Sequence, residues 1–240
     1  MAKFEVVPTI PSEYRYKYLN EGANGVCYLT TQGDVFKQFR MPCPYERELG
    51  RLSELENPSF TFPSKLVYLG VKDPLTLKGY RMNYVTGTKF SDLDPKVRME
   101  LIINASKVVE DNIIYITKES GLVIIDISND NVLFLDNNAF NVFDTDLYDF
   151  DLYEESYDNI KANMKEWNQF MLGELKGGTR LFLSSDLNNQ HEIAMIHGKY
   201  RASEVIQRVM AEIRKQTGYY PETLGDYQEG VKLIKRKEFV

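Results

Sequence analysis

The chain has 240 residues, 43% of them apolar and 27% charged, which is the composition of a globular domain and excludes a disordered, collagenous or coiled-coil chain. Its formal charge of -6, from 29 Lys+Arg against 35 Asp+Glu, leaves no basic footprint and disfavours nucleic acid as the main partner. Cys27 and Cys43 are too few for a disulfide framework and lack a zinc-type spacing, and no apolar run approaches the roughly 20 residues of a membrane helix. The start, MAKFEVVPTIPSEYRYKY, lacks the apolar core of a secretory signal, so the chain reads as cytoplasmic, without a membrane span. Its length fits one large domain or two tightly joined lobes.

Short β-prone runs open the chain: Tyr18-Leu19, Val26 to Thr30 and Val35 to Phe39, separated by glycine-containing turns as in an antiparallel meander. From Tyr45 to Leu55 the positions Leu49, Leu52 and Leu55 predict a helix, which Asn57-Pro58 stops. Strands are expected over Lys65 to Leu69 and Tyr80 to Tyr84. Asp94-Pro95 is a helix-start signal, and Val97, Leu101, Ala105, Val108, Ile113 and Ile116 predict a long buried helix to about Glu119, ended by Gly121. Strands Leu122 to Ile125, Val132 to Leu135 and Phe140 to Phe143 follow. DTDLYDFDLYEESYD, acidic but punctuated by aromatics, reads as a loop packed on a surface, and packing on a lobe accounts for Tyr148, Tyr153 and Tyr157. Helices are expected over Ile160 to Leu175 and Ala202 to Lys215, and the tail KLIKRKEF reads as solvated.

Two constellations carry chemistry. In NEGANGVCY, Gly22 and Gly25 would let the backbone approach a ligand and turn its NH groups toward phosphate oxygens. Lys37 lies within the strand that follows, and Glu48 on the next helix could pair with it and hold the ammonium against a phosphate; Glu46 competes for that place. In the second, the hairpin Val132 to Leu135, Asp136-Asn137-Asn138 and Phe140 to Phe143 would bring Asn131 and Asp144 side by side, about 5 Å apart. An amide oxygen and a carboxylate there suit Mg²⁺, which takes oxygen ligands and is often held by one or two protein groups plus phosphate. Asp126, just after an apolar strand, could accept the proton of an attacking hydroxyl. His191 and His197 lack ligand partners and read as ordinary polar residues.

From about Leu19 to Asp144 the chain resembles the protein-kinase-like superfamily. LNEGANGVC looks like its Gly-rich loop, with Asn20 in place of the first glycine, so Gly22, Ala23, Asn24, Gly25 and Cys27 would line ATP. VFK resembles the strand of the phosphate-binding lysine, Lys37. Counting back from Asn57-Pro58 favours Glu48 as its partner. GYRMNYVTG is similar to the strand and hinge at adenine, making Met82 gatekeeper-like and Asn83 to Val85 the hinge. DISNDN resembles the catalytic loop, with Asp126 as catalytic aspartate and Asn131 as metal ligand. DTD stands where the family has Asp-Phe-Gly, so Asp144 would hold Mg²⁺.

The resemblance implies an α+β, two-lobed kinase-like fold spanning 1–240, with lobes 1–85 and 86–240, and an ATP- and Mg²⁺-dependent enzyme that phosphorylates Ser/Thr hydroxyls of proteins. Departures leave two alternatives open. Ile124-Ile125 replace the usual His-Arg, which removes the receptor for a phosphorylated activation loop, and Ser128 replaces a lysine. No Ala-Pro-Glu follows Asp144, and the second lobe is short. The alternatives are a small-molecule kinase of sugar, choline or aminoglycoside type and a nucleotide-binding pseudokinase that binds partners. The oligomeric state is left open.

Overall fold

The computed structural model describes residues 3–145, 148–150, 152, 156–176 and 197–237. Its contacts divide the chain into two compact units: Met1–Thr86 with Phe143–Tyr148, and Gly87–Val142 with Asp149–Val240. The architecture is α+β.

In the first unit, β1 (Phe4–Val7), β2 (Lys17–Glu21), β3 (Gly25–Leu29), β4 (Val35–Phe39), β5 (Pro63–Leu69) and β6 (Leu77–Met82) form one sheet in the order β1-β5-β6-β4-β3-β2. Only β1–β5 is parallel. The strand β1 was not expected: FEVV is short, and its partner lies some sixty residues on. Helix α1 (Glu46–Leu52) is shorter than its leucine pattern suggested.

Register sorts the side chains of this sheet onto two faces, because paired residues share a face. Lys37 pairs with Cys27 and Tyr80, whereas Phe36 pairs with Tyr28 and Arg81. The Phe36 face is covered by Tyr14, whose ring centroid lies 5.3 Å from that of Phe36. Arg81 is buried there and stays charged by pairing, donating from Nε to Asp34 at 2.6 Å and from a terminal nitrogen to Gln32 at 2.6 Å. Tyr14 donates to Glu5 at 2.7 Å, and burial, followed by that carboxylate, pushes its hydroxyl up to about 12.

The second unit holds β7 (Thr88–Lys89), α2 (Met99–Ser120), β8 (Leu122–Val123), β9 (Val132–Phe134), β10 (Phe140–Val142), β11 (Asp149–Phe150), α3 (Ser156–Lys176), α4 (Ala202–Thr217) and α5 (Leu224–Lys237). The order β10-β9-β7 makes a small sheet, and β11 pairs with β8. Helix α2 begins at Met99 rather than Pro95. Asp94 instead makes an Asx turn, its Oδ1 accepting from Lys96 N at 2.8 Å, and residues 97–99 pair with 222–224 through Leu224 N to Val97 O and Met99 N to Glu222 O, both 2.8 Å. The helix ends as expected at Gly121, in the left-handed region at φ 70° with its NH on Thr117 O. Its buried face runs through Ile102, Ala105, Val109, Ile113 and Ile116, while Val108, about 100° round the helix from Val109, is half exposed.

One other expectation changes. The tail is helical because Leu224, Tyr227, Val231 and Ile234 bury a stripe at spacings of three and four, with Lys232 paired to Glu229 at 2.6 Å. The side chains of Lys235, Arg236 and Lys237 lie outside the described part. Tyr148 packs as the loop reading expects, buried at 2% exposure with its ring centroid 6.5 Å from that of Phe60, whereas Tyr157 is exposed on α3. His197 is exposed; His191 and Tyr153 lie outside the described residues. No helix among the described residues is long and apolar enough to cross a membrane.

Candidate functional site

The glycine-containing turn lies between β2 and β3. Gly22 donates its NH to Gly25 O at 2.9 Å, and Arg40 donates to Asn24 O at 3.2 Å, which ties the turn to the end of β4. Gly25 is buried so close to β4 that a Cβ would run into the carbonyl oxygen of Gln38. Above Gly22 the space is open, and Ala23 and Asn24 are exposed. Cys27, half-buried, stands beside Lys37 on the same face.

Lys37 is 3% exposed, and an ammonium buried so deeply needs a counter-charge. It has one: Nζ is ion-paired with Asp144 Oδ1. The carboxylate is held by the backbone around it. Asp144 sits at φ 61°; Thr145, 1% exposed, donates its hydroxyl to Thr61 O at 3.2 Å; and Tyr148 N donates to Thr145 O at 3.2 Å. Glu48 lies half-buried in the first turn of α1. Glu46, its competitor, accepts the Tyr68 hydroxyl at 2.5 Å, and burial followed by that carboxylate pushes the phenol well above its ordinary value. Met82 ends β6 buried, Asn83 is exposed and Val85 half-buried in an irregular stretch.

In the second unit the chain between β8 and β9 carries Asp126 and Asn131. Asn163 on α3 fixes its start: Oδ1 accepts from Ile124 N, and Nδ2 donates to Leu122 O and Thr117 Oγ1, each at 2.7 Å. Asn131 closes the loop on itself, donating from Nδ2 to Asp126 O and accepting from Ser128 N at 2.7 Å. The loop is also tied to the end of β7 by Lys89 to Asp130 at 2.6 Å, and to the turn after it by Asn129 to Ser91 Oγ at 2.8 Å. The Asp126 carboxylate is exposed. Burial raises the pKa of Glu166 on α3; the nearby Lys165 opposes this and the charge of Asp126 adds to it.

Among the described non-glycine residues, positive φ occurs at Asp126, Asn138 and Asp144. Asn138 serves the turn of the β9–β10 hairpin, its NH on Leu135 O at 2.9 Å. The other two are the carboxylates singled out for chemistry. Left-handed backbone costs an ordinary L-residue about 1–2 kcal/mol, and such strain persists where the surroundings over-determine it, often at functional sites.

The hairpin forms with Val132 opposite Val142, but β10 ends there; Asn131 belongs to the second unit and Asp144 to the first. The sequence reading passed over Thr145, Thr61 and Asn163, because a hydrogen bond to a distant carbonyl leaves no local pattern. Two cavities within single units lie at other residues: one of 310 Å³ lined by Met99, Ile103, Met210 and Tyr220 among others, and one of 230 Å³ that includes Phe4, Glu46, Tyr68 and Lys72. Clusters of three or more His, Cys, Asp or Glu side chains able to hold a metal do not occur among the described residues, although Mg²⁺ bound through phosphate does not require one. Compared with known proteins, the chain matches no family model, and no curated protein matches it significantly.

Proposed function

We propose that this chain is an ATP- and Mg²⁺-dependent phosphotransferase of protein-kinase-like type, acting on Ser/Thr hydroxyls of proteins. The observation that carries the reading is the buried ammonium of Lys37 paired with Asp144, a residue in left-handed backbone. A lysine fixed on a sheet beside a glycine turn is suited to the α and β phosphates of ATP. The donor chemistry of Asp144 fits Mg²⁺: it is a hard carboxylate, its side chain is 47% exposed, and only Oδ1 is taken by Lys37 among the described residues. Within the second unit, Asn131 Oδ1 accepts one NH and keeps a lone pair, the kind of oxygen that the resemblance assigns to a metal ligand. When bound, Mg²⁺ would neutralise charge on the transferring phosphoryl group.

The chain's own groups have separate tasks in this reading. Lys37 orients phosphate, and Gly22 to Gly25 with Cys27 and Met82 shape the nucleotide side, while Asn83 and Val85 offer backbone groups to the base. Asp126, exposed and held by its strained backbone, receives the proton of the acceptor hydroxyl. Ser128, in place of a lysine, leaves the acceptor class to experiment.

Incubation of the full chain with γ-labelled ATP and Mg²⁺, beside Asp126→Ala and Asp144→Ala, tests this. Label should appear on a protein acceptor with wild type and with neither variant. Transfer only to sugar, choline or aminoglycoside acceptors would make it a small-molecule kinase. ATP binding without any transfer would make it a pseudokinase.

A further inference from the structure

Asp144 owes its place to a short segment that returns to the first unit, and that segment is held by two contacts. Thr145 is 1% exposed and donates Oγ1 to the carbonyl of Thr61, just before β5. Tyr148, 2% exposed, packs its ring edge against Phe60, which itself stacks on Phe62 at 5.9 Å. The Tyr148 NH then returns to Thr145 O. Residues 60–62 therefore grip the chain on the C-terminal side of Asp144, and the ion pair to Lys37 grips Asp144 itself.

A residue at φ 61° flanked by free chain would relax to ordinary backbone, since the left-handed form is the costlier one. Here the neighbour at 145 cannot turn without leaving the Thr61 carbonyl, and Tyr148 cannot move without exposing an aromatic ring. Each contact alone is modest, one neutral hydrogen bond and one aromatic edge contact. Together they hold the backbone on the C-terminal side of Asp144.

We propose that Thr145 and Tyr148 are positioning residues that preset the Asp144 carboxylate for Mg²⁺. The inference rests on the phosphotransferase reading and specifies what positions the metal ligand of that site. Thr145 acts through Asp144, because its hydroxyl is spent on the Thr61 carbonyl. Its signature is therefore a changed demand for metal.

The test titrates Mg²⁺ into the unphosphorylated full chain with a fluorescent ATP analogue, following nucleotide binding rather than turnover. A parallel titration in EDTA and a thermal melt complete it. Thr145→Val keeps the shape and removes the hydroxyl, and should raise the half-saturating Mg²⁺ about three- to tenfold, the effect of one hydrogen bond. Metal-free nucleotide affinity should stay as in wild type, and Thr145→Ser, which retains the hydroxyl, should restore the wild-type titration. Tyr148→Leu reads the second contact independently and should shift Mg²⁺ demand in the same direction. The inference is overturned if Thr145→Val and Tyr148→Leu take up Mg²⁺ as wild type does, if metal-free binding falls equally, or if serine does not rescue. Wild type that binds the nucleotide without any Mg²⁺ dependence would instead sink the phosphotransferase reading itself.

Discussion

Lys37 and Asp144 form an ion pair although 107 residues separate them, and the lysine is buried while the aspartate is half exposed. The asymmetry has an energetic consequence. A buried charge is stabilised only while its partner remains, whereas an apolar side chain of similar length needs none. The pair therefore tells function apart from stability, because a fold selected for stability alone could use methionine at position 37.

Lys37→Met should leave the melting temperature equal to or above that of wild type while nucleotide affinity falls at least about tenfold, the loss of one charge-assisted contact. Asp144→Ala should do the opposite to stability, lowering it by about 1–3 kcal/mol because Lys37 keeps its buried charge without this partner. Thermal melts and nucleotide titrations on the same preparations check both. A strongly destabilised Lys37→Met would mean that the ammonium is there for the fold.

The strained backbone offers a second probe. Asn138→Gly, in a turn, should gain a few tenths to about 1 kcal/mol, since glycine accepts positive φ without a Cβ penalty, offset by the entropy of the unfolded chain. Asp126→Gly should gain a similar amount and abolish transfer. Urea unfolding with a transfer assay reads both, and an active Asp126→Gly would remove that carboxylate from the mechanism.

Asn163 is fully buried and satisfies two backbone groups, Leu122 O and Ile124 N, on the stretch that leads to Asp126. Asn163→Leu strands the Ile124 NH and the Leu122 carbonyl and should cost about 3 kcal/mol in urea unfolding. A loss under about 0.5 kcal/mol, the range of ordinary surface changes, would show that these groups find other partners.

Glu110 on α2 gives a pH dependence. It is fully buried, and it accepts from Ser106 Oγ and Ser203 N at 2.9 Å and from Ser203 Oγ at 2.5 Å, bridging α2 to the start of α4. Burial raises its carboxyl pKa above the ordinary value, while the Ser203 and Ser106 bonds and Arg201 draw it back. The folded state thus keeps a proton that the unfolded chain has released, so stability decreases as pH rises from the ordinary carboxylate value through the raised one. Below that window the penalty is absent. Glu110→Gln should flatten the fall in stability as pH rises above the ordinary carboxylate range, and an unchanged slope in urea unfolding would assign it to other groups.

How much was legible in the residues depended on how far each signal reaches. Strands β3 and β4, the end of α2 at Gly121 and the hairpin β9–β10 follow from alternation, a left-handed cap and a turn sequence, all local rules. The start of α2 was misplaced because residues 222–224 compete for its first amides, and β1 and α5 were missed, the one because its partner is distant and the other because basic residues masked its apolar stripe.

Lys37, Asp126, Asn131 and Asp144 could be singled out from residue type, spacing and resemblance alone, since strand position and turn chemistry are properties of a few consecutive residues. That Lys37 takes Asp144 as its counter-charge, that Thr61 holds Thr145, and that both carboxylates stand in left-handed backbone were settled only by tertiary folding. Burial decides such things: which charge must be neutralised, and by what, depends on which groups lose water together, and that is a property of the packed chain.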